Sequence, residues 1–506
     1  MPLFLVFTAA LGFYWVTLAP TVVWGDSARL TLRVVAKEPL AFGTAGDHPL
    51  FVVIGRILVA ALPGDPARLV NFEAALFGAL AVAVVYRCAR QLGTSRLAAA
   101  AGAASLAVAH TFWLHAVMAE VYTANAFFLA ATLSLLLDWR RRQQRRYLAA
   151  AVTVFAIGLT NHLVLAALVP AAVVFVVVNT PRPRVTRRSL WWLGGAGATV
   201  AAIAFAAPSA AAAFQRLWFG PPSIWEYFTP TIAPRGMARE AGYYLLYLVY
   251  QFPSISLPLG LVGLWTLLRD DARVGALLLL AVAVNAGIFI HHTGWESPGA
   301  AKFVFYLADY VVFSILCAIG VHEMLVRLAS QSAVDRSRLW GTTILAAVAL
   351  LPPLIYAILP ASATRMGIDL VHARTLPYRD NQRYFLNPNK RGEDGARRFA
   401  TEALQVVRPG AVIFADFTPA SVIRYVQVVD RVRPDVILRY SPSGIVVVEW
   451  LFDGGHRRPT YVASLTHGYY DLSGVAGEYD LVPVGPLIEV RPRAGSTASA
   501  SGRGVP

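Results

Sequence analysis

Asp26, in Gly25-Asp26-Ser27, stands two residues past an uncharged apolar run, Pro2 to Val23. That run is long enough to cross a bilayer, which takes about 20 apolar residues. A carboxylate at such an exit can act as a general base at the membrane surface. It can equally be a loop aspartate that caps the next helix. His48-Pro49 follows, and a second acidic residue, Glu120, lies at another exit. Glu120 reads as the start of a helix, where a carboxylate meets the positive end of the dipole. Asn125, a little over one turn on, falls near the same end. Asn161-His162 interrupts two further apolar runs, and its plain reading is a buried histidine held by one carbonyl. Polar groups beside membrane spans cost a few kcal/mol each, so each calls for a role.

The elements that carry these residues are set by composition. Of 506 residues, 57% are hydrophobic and only 14% charged, and the mean hydropathy is +0.55. A soluble chain carries nearer a quarter charged residues, so the expectation is an α-helical polytopic membrane protein. The net charge of +15 comes mostly from arginines in short loops, with no aromatic-interleaved basic domain, which excludes a nucleic-acid partner. Cys88 and Cys317 lie in or beside apolar runs, which argues against a disulfide framework. No Asp/Glu/His cluster has metal-ligand spacing, so no essential divalent metal is expected.

About eleven spans are predicted, near 2–23, 69–89, 97–114, 120–137, 147–162, 163–179, 190–208, 241–268, 274–291, 302–321 and 340–360. The first lacks a basic leader and a small-x-small site, so it reads as a retained helix. One alternate set of loops is rich in arginine: Arg87, Arg90, Arg96; Arg140, Arg141, Arg142, Arg145, Arg146; Arg182 to Arg188; Arg269, Arg273; Arg327, Arg336, Arg338. The positive-inside rule makes that set cytoplasmic. The N-terminus is then inside, the C-terminus outside, and Asp26, His48, Glu120, Asn161 and His162 share the extracytoplasmic face.

Two outer segments have further character. His48 to Leu58 is apolar but too short to span, and reads as an interfacial helix with Arg56 reaching the headgroups. The segment 209–239 holds Trp218, Trp225, Tyr227 and Phe228, with Arg216, Arg235 and Arg239. It reads either as an aromatic belt or as a site for anionic headgroups. Residues 361–493 form a mixed-charge α/β domain. Strands are expected at 411–416, 435–440 and 460–465, and helices at 420–429 and 445–452. Asp416, at a strand's tip, reads as a helix cap. The Gly/Ser/Ala-rich tail, 494–506, has a disordered composition.

Several of these residues together resemble a known family. Gly25-Asp26-Ser27, His48-Pro49-Leu50, Gly55-Arg56, Asn71-Phe72, Leu76-Phe77-Gly78-Ala79, Phe112-Trp113, Ala119-Glu120-Val121-Tyr122, Asn125 and Asn161-His162 look like the protein O-mannosyltransferase-like membrane family. In the tail, Pro409-Gly410-Ala411-Val412-Ile413, Arg433-Pro434-Asp435-Val436 and Arg458-Pro459-Thr460-Tyr461 resemble it too.

The resemblance implies a GT-C fold, in which a many-helix core transfers a hexose such as mannose. The donor is a polyprenyl-phosphate sugar and the acceptor a protein or glycan hydroxyl on the extracytoplasmic side. It casts Asp26 as base, with His48, Glu120, Asn125, Asn161 and His162 lining the sugar and acceptor pocket. Arg56, Arg216, Arg235, Arg239 and Lys302 are then the candidates for the phosphate. One departure is clear. The family usually continues its aspartate as Ser-Gly-Glu, whereas here Ser27 is followed by Ala28-Arg29, so no second carboxylate is expected beside Asp26. A transporter would carry midplane charges and internal repeats. A non-catalytic lipid-binding protein would bind the donor without transfer.

Overall fold

The structure is a computed structural model that describes residues 2–40, 47–181, 234–291, 302–331, 337–441, 445–453, 456–475 and 479–493. The expected span at 190–208, most of the aromatic segment, Arg216 and the tail lie outside the described residues. The side chain of Arg235 is likewise not described.

The first apolar run forms helix α1 (Pro2–Thr17), shorter than its hydropathy implies. The chain from Leu18 to Trp24 is extended and leads into two helices, α2 (Asp26–Val35) and α3 (Pro49–Ala61). Composition indicates α3, whose Pro49 sits at the first helical position where a missing N–H costs nothing. Helix α2 was not expected. Its charged residues hide a strongly two-sided pattern, with Leu30, Leu32 and Val34 buried.

The helices continue as α4 (Pro66–Gln91), α5 (Arg96–Ala107), α6 (His110–Ala116), α7 (Tyr122–Arg142) and α8 (Arg145–Leu159). A 3₁₀ segment (Leu163–Leu168) then feeds α9 (Val169–Asn179). After the undescribed stretch come α10 (Pro234–Gln251), α11 (Ser256–Asp270), α12 (Ala272–His291), α13 (Leu307–Gln331) and α14 (Ser337–Arg365).

Among the described residues, four helices are long and apolar enough to cross a membrane alone: α4, α12, α13 and α14. Two bent pairs, α5 with α6 and α10 with α11, bring the number to six. The expected single span at 241–268 is in fact α10 and α11, bent by 110° at a short break. Pro253 is the physical reason, because it has no N–H to donate and drives the residue before it out of helical geometry. Helices α11 and α13 pack through glycine: a Cβ on Gly263 would meet the Leu316 carbonyl oxygen at 1.9 Å. Backbones approach this closely only where side chains are absent.

The C-terminal region begins with α15 (Asn381–Leu386) and α16 (Gly395–Val406), followed by β1 (Val412–Asp416), α17 (Phe417–Asp430) and β2 (Ile437–Ser441). A five-stranded sheet has the order β2-β1-β6-β9-β8, where β6 is Thr460–Val462, β8 Tyr479–Val484 and β9 Leu487–Pro492. Strands β2, β1 and β6 are parallel, and β9 joins β6 antiparallel. The helix expected at 445–452 does not form. Val446 and Val447 make a short parallel strand with Tyr470 and Asp471 instead. A run of β-branched side chains favours the pleated backbone there. This region packs directly on the start of the chain: Val22, Trp24, Ala28 and Ala67 share one core with Phe399, Ile423 and Tyr425.

A candidate active site where helix ends converge

Asn71, on the first turns of α4, fastens two chain segments. Its side-chain amide donates to the carbonyls of Ala19 and Thr21, both at 3.1 Å, and its oxygen accepts from the Ala119 N–H at 2.8 Å. Ala19 N also donates to Val117 O at 2.9 Å. The stretch before Asp26 therefore lies against the stretch before Glu120. Gly25 turns the chain into α2 with φ of 82°, in the left-handed region that glycine adopts without strain.

Asp26 is the first residue of α2, and among the described residues no hydrogen bond or ion pair engages its carboxylate. The capping alternative is thereby removed. The side chain remains exposed, yet protein surrounds it on most sides, and that desolvation raises its pKa. Glu120 is buried, two residues before α7 begins rather than inside it. Burial first, and the nearby Asp26 charge second, hold its pKa well above the ordinary range. A second carboxylate thus stands beside Asp26, supplied by the α6–α7 corner and not by the residues that follow Asp26. Arg29, at the position of the departure, is held by Glu38 in two hydrogen bonds of 2.6 and 2.8 Å.

The histidines complete the group. His48 Nδ1 lies 2.8 Å from the Asn161 carbonyl, so it donates and leaves Nε2 as an acceptor. His162 Nδ1 accepts from Val164 N–H at 3.1 Å, which puts its proton on Nε2. The two rings stack at 5.1 Å, and the Tyr122 ring packs tilted against His162 at 5.3 Å. Burial pushes the His48 pKa down to about 4, with Arg33 adding to the effect against the Asn161 carbonyl. Burial and His48 push that of His162 well down. Both imidazoles are neutral near pH 7 and interact through hydrogen bonds, not charge. The single-carbonyl reading of Asn161-His162 does not describe His162, which accepts from the Val164 N–H; His48 is the histidine that meets one carbonyl, that of Asn161. The Asn161 amide donates to Val121 O at 3.0 Å, and its oxygen has no partner among the described residues.

His48, Asn161 and His162 are in contact with one another, Asn161 reaches the Val121 carbonyl next to Glu120, the Asp26 charge acts on Glu120, and Asn125 lies in the first turn of α7. The expected phosphate cations are dispersed. Arg56 donates to the carbonyls of Arg33, at 3.1 Å, and of Glu38. Lys302 is buried and ion-paired with Glu240 at 3.0 Å. Arg239 is half exposed and 3.8 Å from the Glu240 carboxylate. Sequence reasoning missed Arg33. It lies seven residues after Asp26, on the same face of α2, pairs with Asp47 at 3.2 Å and acts on His48. It also passed over Glu73, whose carboxylate is buried between α3 and α4 with neither oxygen paired among the described residues. Both are charges inside an amphipathic or apolar helix, and a periodicity reading counts them without placing them. Among the described residues no three His, Cys, Asp or Glu side chains gather at metal-holding distance.

The profile of the protein O-mannosyl-transferase TMEM260 N-terminal domain matches residues 40–185. That stretch contains His48, Arg56, Glu120, Asn125, Asn161 and His162 and begins after Asp26. The chain is similar to the protein O-mannosyl-transferases. The curated relative, protein O-mannosyl-transferase TMEM260 of Mus musculus, is 25% identical over 158 residues, which are 31% of this chain and 22% of the relative. Beyond that mannosyl-transferase-like stretch the likeness is one of fold. ArnT from Cupriavidus metallidurans bound to undecaprenyl phosphate superimposes over 99% of both chains, with 14% identity and a TM-score of 0.55. Its apo form gives 0.52 over 96% of this chain and 97% of that one.

Proposed function

We propose that this protein is a membrane glycosyltransferase that moves a sugar from a polyprenyl-phosphate carrier to an acceptor hydroxyl at the extracytoplasmic face. The observation that carries this reading is the influence of Asp26 on Glu120: one carboxylate is exposed and has no hydrogen bond or ion pair among the described residues, and the other is buried, its pKa raised well above the ordinary range by burial and by the Asp26 charge. Two carboxyls whose surroundings separate their proton affinities are what acid–base chemistry at one site requires. The acceptor oxygen attacks the anomeric carbon, and the bond from that carbon to the phosphate oxygen breaks. The hydroxyl proton passes to Asp26, and the carrier leaves as polyprenyl phosphate with inversion of the anomeric centre. Phosphate is a stable leaving anion, so no strong acid is needed opposite Asp26.

In this reading Glu120, His48, Asn161, His162 and Asn125 orient the sugar and acceptor through hydrogen bonds. Arg56, with Arg33 beside it, meets the phosphate. Arg216, Arg235, Arg239 and Lys302 are further candidates, Lys302 being ion-paired with Glu240. The α/β region orients the acceptor. The likeness to a protein O-mannosyl-transferase supports a hexose such as mannose and a protein hydroxyl. The fold of a protein that binds undecaprenyl phosphate supports the carrier. Membranes containing the protein, given a radiolabelled polyprenyl-phosphate hexose, are expected to transfer label to an acceptor. Asp26→Asn should lower that transfer by at least about 10²-fold while the protein stays folded in the membrane. Transfer retained by the variant removes Asp26 from the role, and movement of label across the membrane without transfer identifies a transporter.

A further inference from the structure

The arginines nearest Asp26 in the chain are matched by acids, Arg29 by Glu38 and Arg33 by Asp47. In the C-terminal region Arg374 is matched too: it meets Asp416 at 2.8 and 2.5 Å and lies over the Tyr469 ring at 3.9 Å. Arg379, just before α15, is not. Its Nε donates to Asn381 Oδ1 and its Nη2 to the Arg374 carbonyl, both at 2.8 Å. Like Arg56, it meets neutral acceptors alone among the described residues, and its Nη1 meets none of them. The side chain is half-buried, and a desolvated cation without a counter-charge is costly. Desolvation lowers its pKa, and the neighbouring Arg374 adds to that. The group is nonetheless fixed in place. Asn381, which holds Nε, donates its own amide to the carbonyls of Ala373 and Arg374 at 2.7 and 3.1 Å. The rings of Tyr384 and Phe385 lie against the guanidinium at 5.6 and 5.2 Å. A cation so held, partly open and unmatched, is set for an anion that comes and goes.

Tyr384 connects this cation to the carboxylates. Its hydroxyl donates to the Trp24 carbonyl at 3.3 Å, two residues before Asp26. Burial raises the Tyr384 pKa, Arg379 opposes the rise, and Glu393 and Glu120 add to it. One phenol therefore feels both Arg379 and Glu120. The proposed transfer breaks the bond from the anomeric carbon to the phosphate oxygen, and negative charge grows on the carrier phosphate as it leaves. A fixed cation stabilises such charge most where water is scarce. A guanidinium also presents parallel N–H groups that suit phosphate oxygens.

We infer that Arg379 binds the phosphate of the polyprenyl carrier, so that the C-terminal region supplies a ligand-binding residue to the site. The inference rests on the glycosyltransferase reading and names a residue that holds its donor. Its test is binding, not turnover. Full-length protein in nanodiscs is titrated with undecaprenyl phosphate, with the neutral alcohol undecaprenol and with inorganic phosphate. The wild type is expected to bind undecaprenyl phosphate about tenfold or more tighter than undecaprenol. Arg379→Gln should weaken undecaprenyl phosphate by about 10- to 100-fold, the value of hydrogen bonds to a charged group, and leave undecaprenol within about twofold. Arg379→Lys keeps the charge but loses the fork, and should weaken undecaprenyl phosphate by about threefold or more. It carries the test if Arg379→Gln fails to fold.

Undecaprenyl phosphate affinity kept by the folded variants overturns the inference. Equal losses for both lipids also overturn it, because they mark Arg379 as a support for the surrounding segment alone. Inorganic phosphate that binds through Arg379 without displacing undecaprenyl phosphate would assign the cation to a free anion, and overturn the carrier as its ligand. A wild type that does not distinguish undecaprenyl phosphate from undecaprenol overturns the lipid-phosphate reading itself, a separate outcome.

Discussion

At Asp26 and Glu120 the decisive quantity is proton affinity, and it bears on rate and stability in opposite senses. In the proposed transfer Asp26 accepts a proton, so kcat/KM is expected to rise with pH through an acid limb above the ordinary carboxylate range, because desolvation by the surrounding protein raises its pKa. A limb at or below that range would remove Asp26 as the base. Folded Asp26 and Glu120 hold protons more tightly than the unfolded chain does, so the unfolded state binds fewer protons as pH rises. Stability is then highest below the ordinary carboxylate pKa and falls as pH climbs through the raised values. Asp26→Asn cannot ionise, so this variant should melt higher than wild type at neutral pH and no higher at acid pH. A variant that melts lower at both would show that Asp26 supports the fold rather than strains it. The position of Asp26 at the end of an uncharged run could be read from the sequence, and that of His48 from the proline behind it. The neighbour of Asp26 could not be read, because Glu120 approaches through a turn 94 residues on, held by Asn71.

At the scale of elements, Asn71 joins the two segments that set the carboxylates side by side. Asn71→Ala removes three buried hydrogen bonds and leaves their partners unpaired, with an expected cost of about 1–3 kcal/mol. Transfer should fall more than stability, since a small shift at the reacting groups is enough to slow them. Chemical denaturation together with a transfer assay checks both, and a stable variant with full activity would show that the two segments hold their places alone. Helix content was legible wherever apolar runs were long, as in α4, α7 and α13. Two kinds of element were not. Helix α2 carries Asp26, Arg29 and Arg33 in ten residues, so a polarity reading takes it for loop, although Leu30, Leu32, Val34 and Arg33 itself are buried by the elements packed around it. The α10–α11 bend arises from one proline in an otherwise continuous apolar run, a feature that average hydropathy smooths away. The strand at Val446-Val447 was misread for a related reason: a short apolar run fits either period, and pairing with Tyr470-Asp471 decided between them.

At the scale of the whole molecule, the C-terminal α/β region shares a core with the segment that carries Asp26. The rings of Trp24 and Phe399 lie 5.2 Å apart in a core shared by both ends of the chain. Asp65 caps α4 through Arg68 N–H, accepts from Thr21 and Tyr425, and pairs with Arg397 at 3.1 Å, which in turn holds Asp430. These ion pairs are partly exposed and worth little singly. The aromatic contact should dominate. Trp24→Ala is expected to cost about 3–5 kcal/mol, and a double-mutant cycle with Phe399→Ala should return a coupling of about 0.5–1.5 kcal/mol. Additive losses would mean that the two regions touch without supporting each other. The α/β character of the region was legible from its alternating strands and helices; its seat on Trp24 was not, because contacts across some 360 positions leave no local pattern. That distance has a consequence for biosynthesis. A nascent chain inserts its earliest helices while Phe399 and Tyr425 are still untranslated, so the segment bearing Asp26 waits unfinished until nearly the whole polypeptide has left the ribosome. A prematurely terminated copy therefore lacks the core that Val22, Trp24 and Ala28 share with Phe399, Ile423 and Tyr425.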